Sequence, residues 1–185
     1  DRESIAKNLV GPSATAIHSA CHPDVFACSL DVPKYEYSPE KAKKLLAEAG
    51  FPNGFEFDLY AYREREYTEA VIGDLTRVGL KAKLNFLQLA ALNELIRNGR
   101  VAIHHSTWGS NSIADVTATG SQYFTGGLDD MVHNDDLKRM ITEADSFTDP
   151  EKRKAAWAKA LVKIQEEAYW MPVFTYAKFY AWTKQ

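Results

Sequence analysis

At 185 residues and 20.8 kDa, the chain is sized for one ordinary domain or two small ones. A composition of 45% hydrophobic and 12% aromatic residues excludes a disordered chain, and folding at this length hides about 70% of the unfolded surface. Lys and Arg total 22 against 25 Asp and Glu, a formal charge of −3 that excludes a dedicated nucleic-acid binder. The ten uncharged residues from Ala168 to Ala177 fall well short of the roughly 20 that a membrane span requires. The chain starts at Asp1 with no basic n-region or apolar h-region, so it is expected to be a piece cut from a longer precursor.

From Asp1 to about Val10 the pattern predicts a short helix stopped by Gly11-Pro12. Residues 12–37 hold three of the seven prolines and no sustained period, and are expected to form a long irregular segment. Cys21 and Cys28 lie seven apart within it. Two cysteines with none to spare predict one disulfide and an oxidising compartment, closing a loop that stabilises the fold by roughly 2–3 kcal/mol. Two inert thiols remain an alternative. So does a metal site using His18, Cys21, His22 and Cys28, although their spacing fits no established zinc pattern.

Ser38 as cap, Pro39 in the first turn and Glu40 at the positive end of the dipole open a second helix. Ala42, Leu45, Leu46 and Ala49 line one face of it, and Gly50 and Pro52 end it. Phe55, Phe57 and Leu59 alternate with acids, which predicts a strand. A helix over 64–78 follows, stopped by Gly79, then a strand from Leu80 to Phe86. A short helix from Leu89 to Asn98 closed by Gly99, and a strand from Val101 to Trp108, complete the series. Strand and helix in strict alternation predict βαβ units on a mainly parallel sheet flanked by helices, an α/β fold. Ligands in such sheets bind at the carboxyl ends of the strands, which here means Trp108 and the polar loop Gly109-Ser110-Asn111-Ser112. Two more helices are expected, from Asn134 and from Asp149-Pro150-Glu151 towards Tyr169, before a β-like segment at Met171–Tyr176.

The sequence has no phosphate-binding glycine motif and no G-x-S-x-G elbow. His104 and His105 could act as bases with Asp115, Asp129 or Asp130, but alternation along a strand sends them to opposite faces. The plainer expectation for each is a half-buried histidine with a hydrogen-bond partner. The Lys and Arg residues of the last two helices are interleaved with acids and describe a solvated face. Trp108, at a strand end before small and amide residues, suits either the wall of a small-molecule site or a plug at the edge of the core.

The block from Tyr37 through Ser38-Pro39-Glu40-Lys41-Ala42 and Leu45-Leu46-Ala47-Glu48-Ala49-Gly50-Phe51-Pro52-Asn53-Gly54 to Phe55 closely resembles one family. Asp1-Arg2-Glu3, Leu75-Thr76-Arg77-Val78-Gly79-Leu80-Lys81-Ala82, Asn98-Gly99 and Trp108-Gly109 extend the likeness in order over nearly the whole chain. The family is the extracytoplasmic solute-binding proteins, family 5, of ABC importers, the peptide, nickel and opine class. The resemblance implies the second large lobe of a clamshell receptor with a type II periplasmic-binding-protein-like fold, residues 1–185 forming a single lobe. Within it 1–37 would be a helix plus the irregular segment, 38–108 the βαβ core, and 109–185 the cleft loop, two helices and a return strand.

It further implies capture of a peptide or peptide-like solute between two lobes and delivery to membrane permease subunits, outside the cytoplasm and without a cofactor or catalysis. The implied cleft residues are Trp108, Gly109, Ser110 and Asn111, with His105 and Asp115 as further candidates. In peptide-binding members an Asp three residues after the strand-end Trp holds the α-amino group, and here that position is Asn111. An amide lacks the charge-assisted contact, a difference of roughly 1–2 kcal/mol or more that disfavours ordinary peptides. A small α/β enzyme built on His104 or His105, and an interaction domain, are the alternative expectations.

Overall fold

Local chemistry sets the helix ends. In the computed structural model, which describes residues 1–109, 113–177 and 181–183, Ser38 accepts a hydrogen bond from the Lys41 N–H and starts a helix at Pro39. That helix is the second of seven α-helices among the described residues. The chain opens with α1 (Arg2–Ser4), which widens into a π-helical stretch at Ile5–Val10 and stops at Gly11. β1 (Thr15–Ala16), α2 (Pro39–Glu48), β2 (Glu56–Ala61), α3 (Arg65–Thr76), β3 (Lys81–Phe86) and α4 (Leu89–Arg97) follow. Then come β4 (His104–His105), α5 (Thr117–Tyr123), α6 (Asp135–Ser146), α7 (Pro150–Glu166) and β5 (Phe174–Thr175).

β2 lies between β3 and β4 and pairs parallel with both, because each connection passes through a helix and returns in the same direction. Leu59 and Ala61 point into the core, while Glu56 and Asp58 face outward and pair with Lys81 and Asn85 of β3. The two strands begin at glycines that nearly touch: a Cβ on Gly54, which has a φ of +71°, would overlap the Gly79 carbonyl. β1 and β5 make a separate antiparallel pair that ties the first residues to the last.

The main core lies elsewhere, between the disulfide segment and α5 to α7. Val116, Phe124, Leu137, Ile141, Trp157 and Ile164 pack there with Ala20 and Cys21. Asn134 caps α6 through the Leu137 N–H, and Asp149 caps α7 through the N–H groups of Glu151 and Lys152. Cys21 and Cys28 form the disulfide, their Cα atoms 5.7 Å apart, which removes both thiolates from the alternative metal-ligand set.

One expectation is corrected, and two further features go beyond what the sequence reading stated. The strand expected over Val101–Trp108 contributes only His104–His105 to the ladder; past His105, β2 has ended at Ala61 and offers no partner. The apolar stripe of α2 is not buried: no residue of this helix is, and Leu45 is 54% exposed. α5 was not expected at all, since Thr-Ala-Thr-Gly-Ser is weak helix-forming sequence and the helix is held by tertiary contact.

Gly120 shows that contact directly. A methyl group there would overlap the indole ring of the fully buried Trp157. Gly120→Ala is therefore expected to destabilise the fold by about 1–3 kcal/mol despite its better helix propensity. Urea unfolding checks this, and unchanged or raised stability would show that Trp157 has room to shift.

Candidate ligand-binding site

The carboxyl ends of β2 and β4 are stapled together. The Tyr62 hydroxyl donates to the Thr107 carbonyl at 3.1 Å, and Arg63 reaches the Thr107 hydroxyl at 3.5 Å. Beyond this staple stands Trp108, 40% exposed. Its indole N–H donates to the Gln122 Oε1 at 3.3 Å, and its ring meets Tyr123 edge-on at 6.3 Å and 83°. Gln122 in turn donates to Asp129 at 3.0 Å, and Asp129 pairs with Arg97. Tyr123 leans on Trp170 at 5.1 Å, so an aromatic wall runs from the strand end into the core. Burial, with help from Asp129 and Tyr62, pushes the Tyr123 hydroxyl up to about 12, leaving it a neutral donor. Trp108 is thus exposed on one side and packed edge-on against Tyr123 on the other.

His105 is half-buried on β4 with its Nδ1 2.7 Å from the Thr68 hydroxyl, and His104 has its Nδ1 2.6 Å from the Ser106 hydroxyl. Burial lowers both pKa values; the neighbouring imidazole lowers His104 further, while Glu64 partly opposes the shift at His105. Burial likewise lowers His18, with Arg2 and Lys34 adding to the effect. Groups whose folded pKa is depressed bind fewer protons folded than unfolded, so stability is expected to fall as pH drops below about 6.5 and to level off once the folded values are passed. Unfolding at pH 7.5 and 5.5 checks this. A His104→Gln/His105→Gln variant is expected to flatten the difference, and equal stability of the parent protein at both pH values would refute it.

Asp115 is held by its own fold. Its carboxylate accepts both Nη groups of Arg153, at 2.5 and 2.9 Å, and the Thr117 N–H at 2.9 Å. Arg153 also binds Asp145, which accepts the Trp157 indole N–H. Burial pushes Asp115 upward, but the Arg153 bonds, the Thr117 amide and the guanidinium charge outweigh it and hold the carboxyl below its usual range. A solute ammonium would therefore have to compete with Arg153 for this group. Gly109 follows Trp108 directly, while Ser110 and Asn111 lie outside the described residues.

The structure thus brings Trp108 together with Tyr62, Arg63, Gln122 and Tyr123, none of which the sequence reading singled out. Tyr62 and Arg63 were within reach of the same strand-end logic that found Trp108. Gln122 and Tyr123 were not, because they sit on α5. Two open concavities lie away from Trp108, one on α6 and one between the disulfide loop and α7.

A parallel α/β sheet flanked by helices is the architecture of a type II periplasmic-binding-protein-like fold, as the structural comparisons show. The profile of the bacterial extracellular solute-binding proteins, family 5 Middle, matches residues 1–130. The chain is 25% identical over 94% of its length to heme-binding protein A of Haemophilus influenzae. It superposes on 95% of its length with HbpA2 from Haemophilus parasuis, covering 38% of that chain (TM-score 0.85, 23% identity). It superposes equally with a dipeptide binding protein from Pseudoalteromonas sp. SM9913 in complex with Met-Leu, covering 37% of that chain (TM-score 0.85, 21% identity). The chain belongs to family 5 of the bacterial extracellular solute-binding proteins, an assignment with which its disulfide is consistent. It spans about a third, 34%, of the length of the curated Haemophilus influenzae relative.

Proposed function

We propose that this chain is one lobe of a two-lobe receptor that captures a peptide or peptide-like solute and delivers it to the permease subunits of an ABC importer. The observation that carries the reading is Trp108: a large aromatic held at a fixed angle by Gln122 and Tyr123, yet 40% exposed at the carboxyl end of a parallel sheet. In this reading residues 1–185 form the single lobe, with 38–108 as its βαβ core. The indole supplies an apolar wall, backbone groups at Gly109 complete the hydrogen bonding, and Ser110 and Asn111 continue the cleft. Arg63, exposed and reaching the Thr107 hydroxyl, would supply a cation for a solute carboxylate in competition with Glu64, with which it pairs at 3.6 Å. His105 stands behind this edge as a neutral, hydrogen-bonded support, and Asp115 acts through Arg153 and the start of α5. Closure of the second lobe would be a hinge motion. His104 and His105 each share a hydrogen bond with a hydroxyl, of Ser106 and Thr68 respectively, and this reading gives them a supporting role rather than a catalytic one.

The name of the Pseudoalteromonas structure supports a peptide solute, and that of the Haemophilus influenzae relative makes haem the competing one. Mass spectrometry of solutes released on denaturing parent-length protein tests the proposal. A stoichiometric peptide is expected. Haem or another solute would retain the receptor and change its specificity. A Trp108→Ala protein carrying as much solute as the parent would overturn the site.

A further inference from the structure

Phe26 lies inside the ring closed by Cys21 and Cys28, and it is where that ring meets the rest of the lobe. Its N–H donates to the Ala114 carbonyl at 2.9 Å, and its carbonyl accepts from the Val116 N–H at 3.0 Å. This parallel bridge holds the backbone on both sides of Asp115. The Phe26 ring is itself placed by Arg153 and Lys154, whose cationic groups sit 5.6 and 5.4 Å from its centre. Asp115 then starts α5 by accepting the Thr117 N–H, while its other contacts go to Arg153. At the far end of α5 stand Gln122 and Tyr123, the residues that hold the Trp108 indole.

We propose that the Cys21–Cys28 disulfide is a positioning element of the ligand site: by holding Phe26 against Ala114 and Val116 it fixes the start of α5, and through Gln122 and Tyr123 the angle of Trp108. The functional part of this proposal rests on the reading of Trp108 as the solute-facing wall. The physical reason is the weakness of the bridge alone. Two backbone hydrogen bonds to a segment without regular structure open easily, and the covalent ring limits the conformations into which that segment could open. Cys21 and Ala27 are also buried against Val116 and Phe124, so the ring and the base of α5 share one packed cluster. α5 has little intrinsic stability with which to compensate.

The test needs no solute. Indole N–H resonances are read from a nitrogen-15 spectrum of the parent-length protein, with that of Trp108 identified by a Trp108→Phe variant. These are recorded with residue-level amide exchange for the oxidised protein, for the protein reduced with a phosphine, and for Cys21→Ser/Cys28→Ser. On loss of the disulfide the Trp108 indole signal is expected to shift, and the amides of Val116, Gly120 and Phe124 to exchange at least tenfold faster. The amides of β2 and β3 should stay as they were. An unchanged Trp108 signal overturns the proposal. So does an equal acceleration of the β2 and β3 amides, or unfolding of the reduced protein, since either makes the disulfide a general stabiliser. Because this readout needs no ligand, it stands apart from solute retention by Trp108→Ala, which tests the site reading itself.

Discussion

Arg153→Met is expected to destabilise the lobe by about 2–3 kcal/mol, close to the loss seen when one partner of a buried ion pair is removed and discounted for partial exposure. One guanidinium, with its side chain 16% exposed, serves both Asp115 and Asp145. Without it two partly buried carboxylates face each other unneutralised near the Trp157 indole, and Phe26 loses one of its two cations. Methionine keeps most of the volume, so the loss reports the charge and its hydrogen bonds rather than a cavity. Urea unfolding measures it, and a loss below about 0.5 kcal/mol, the scale of an exposed pair, would sink the argument. Acid should act on the same bond. Asp115 is held below its ordinary value near 3.9, so the stability it contributes is fully present above that pH and is lost as pH falls through the lower folded value. Arg153→Met is expected to lack this acid-sensitive component.

The second large effect concerns binding. In parent-length protein Trp108→Ala is expected to weaken solute binding by about 30-fold, the scale of a single aromatic anchor worth about 2 kcal/mol. The melting temperature of the lobe should move little, because the ring is 40% exposed and Tyr123 keeps its packing on Trp170. Titration calorimetry with the solute recovered from the purified protein, paired with thermal melts, checks both parts. Unchanged affinity with a lowered melting temperature would make Trp108 a core residue and move the site elsewhere.

Much of this protein follows from neighbours in sequence. Ser38, Asn134 and Asp149 cap the helices expected of them, and Gly50, Gly79 and Gly99 end helices in the left-handed backbone that glycine adopts readily. The alternation in Glu56–Ala61 and Lys81–Phe86 marks β2 and β3, and the helix between them dictates the parallel pairing. Cys21 and Cys28 pair as their number suggested. These features are legible because each depends on side chains within a turn or two of the backbone they control.

What the tertiary structure decided depends on residues far apart in the chain. α5 exists where Gly120 fits under Trp157, a contact no local propensity encodes. Asp115 looked available for a solute, but Arg153, 38 positions away, occupies it. The stripe on α2 has the right period for burial, yet periodicity records which side chains share a face and not whether another surface covers them; here Leu45 stays exposed. The strand end that carries Trp108 could be found from alternation, whereas the angle of its indole comes from Gln122 and Tyr123 on an element that only packing creates. Local hydrogen bonding and backbone sterics act over a few residues and can be read from sequence, while the desolvation and shape-matching that build this site act only once distant segments meet.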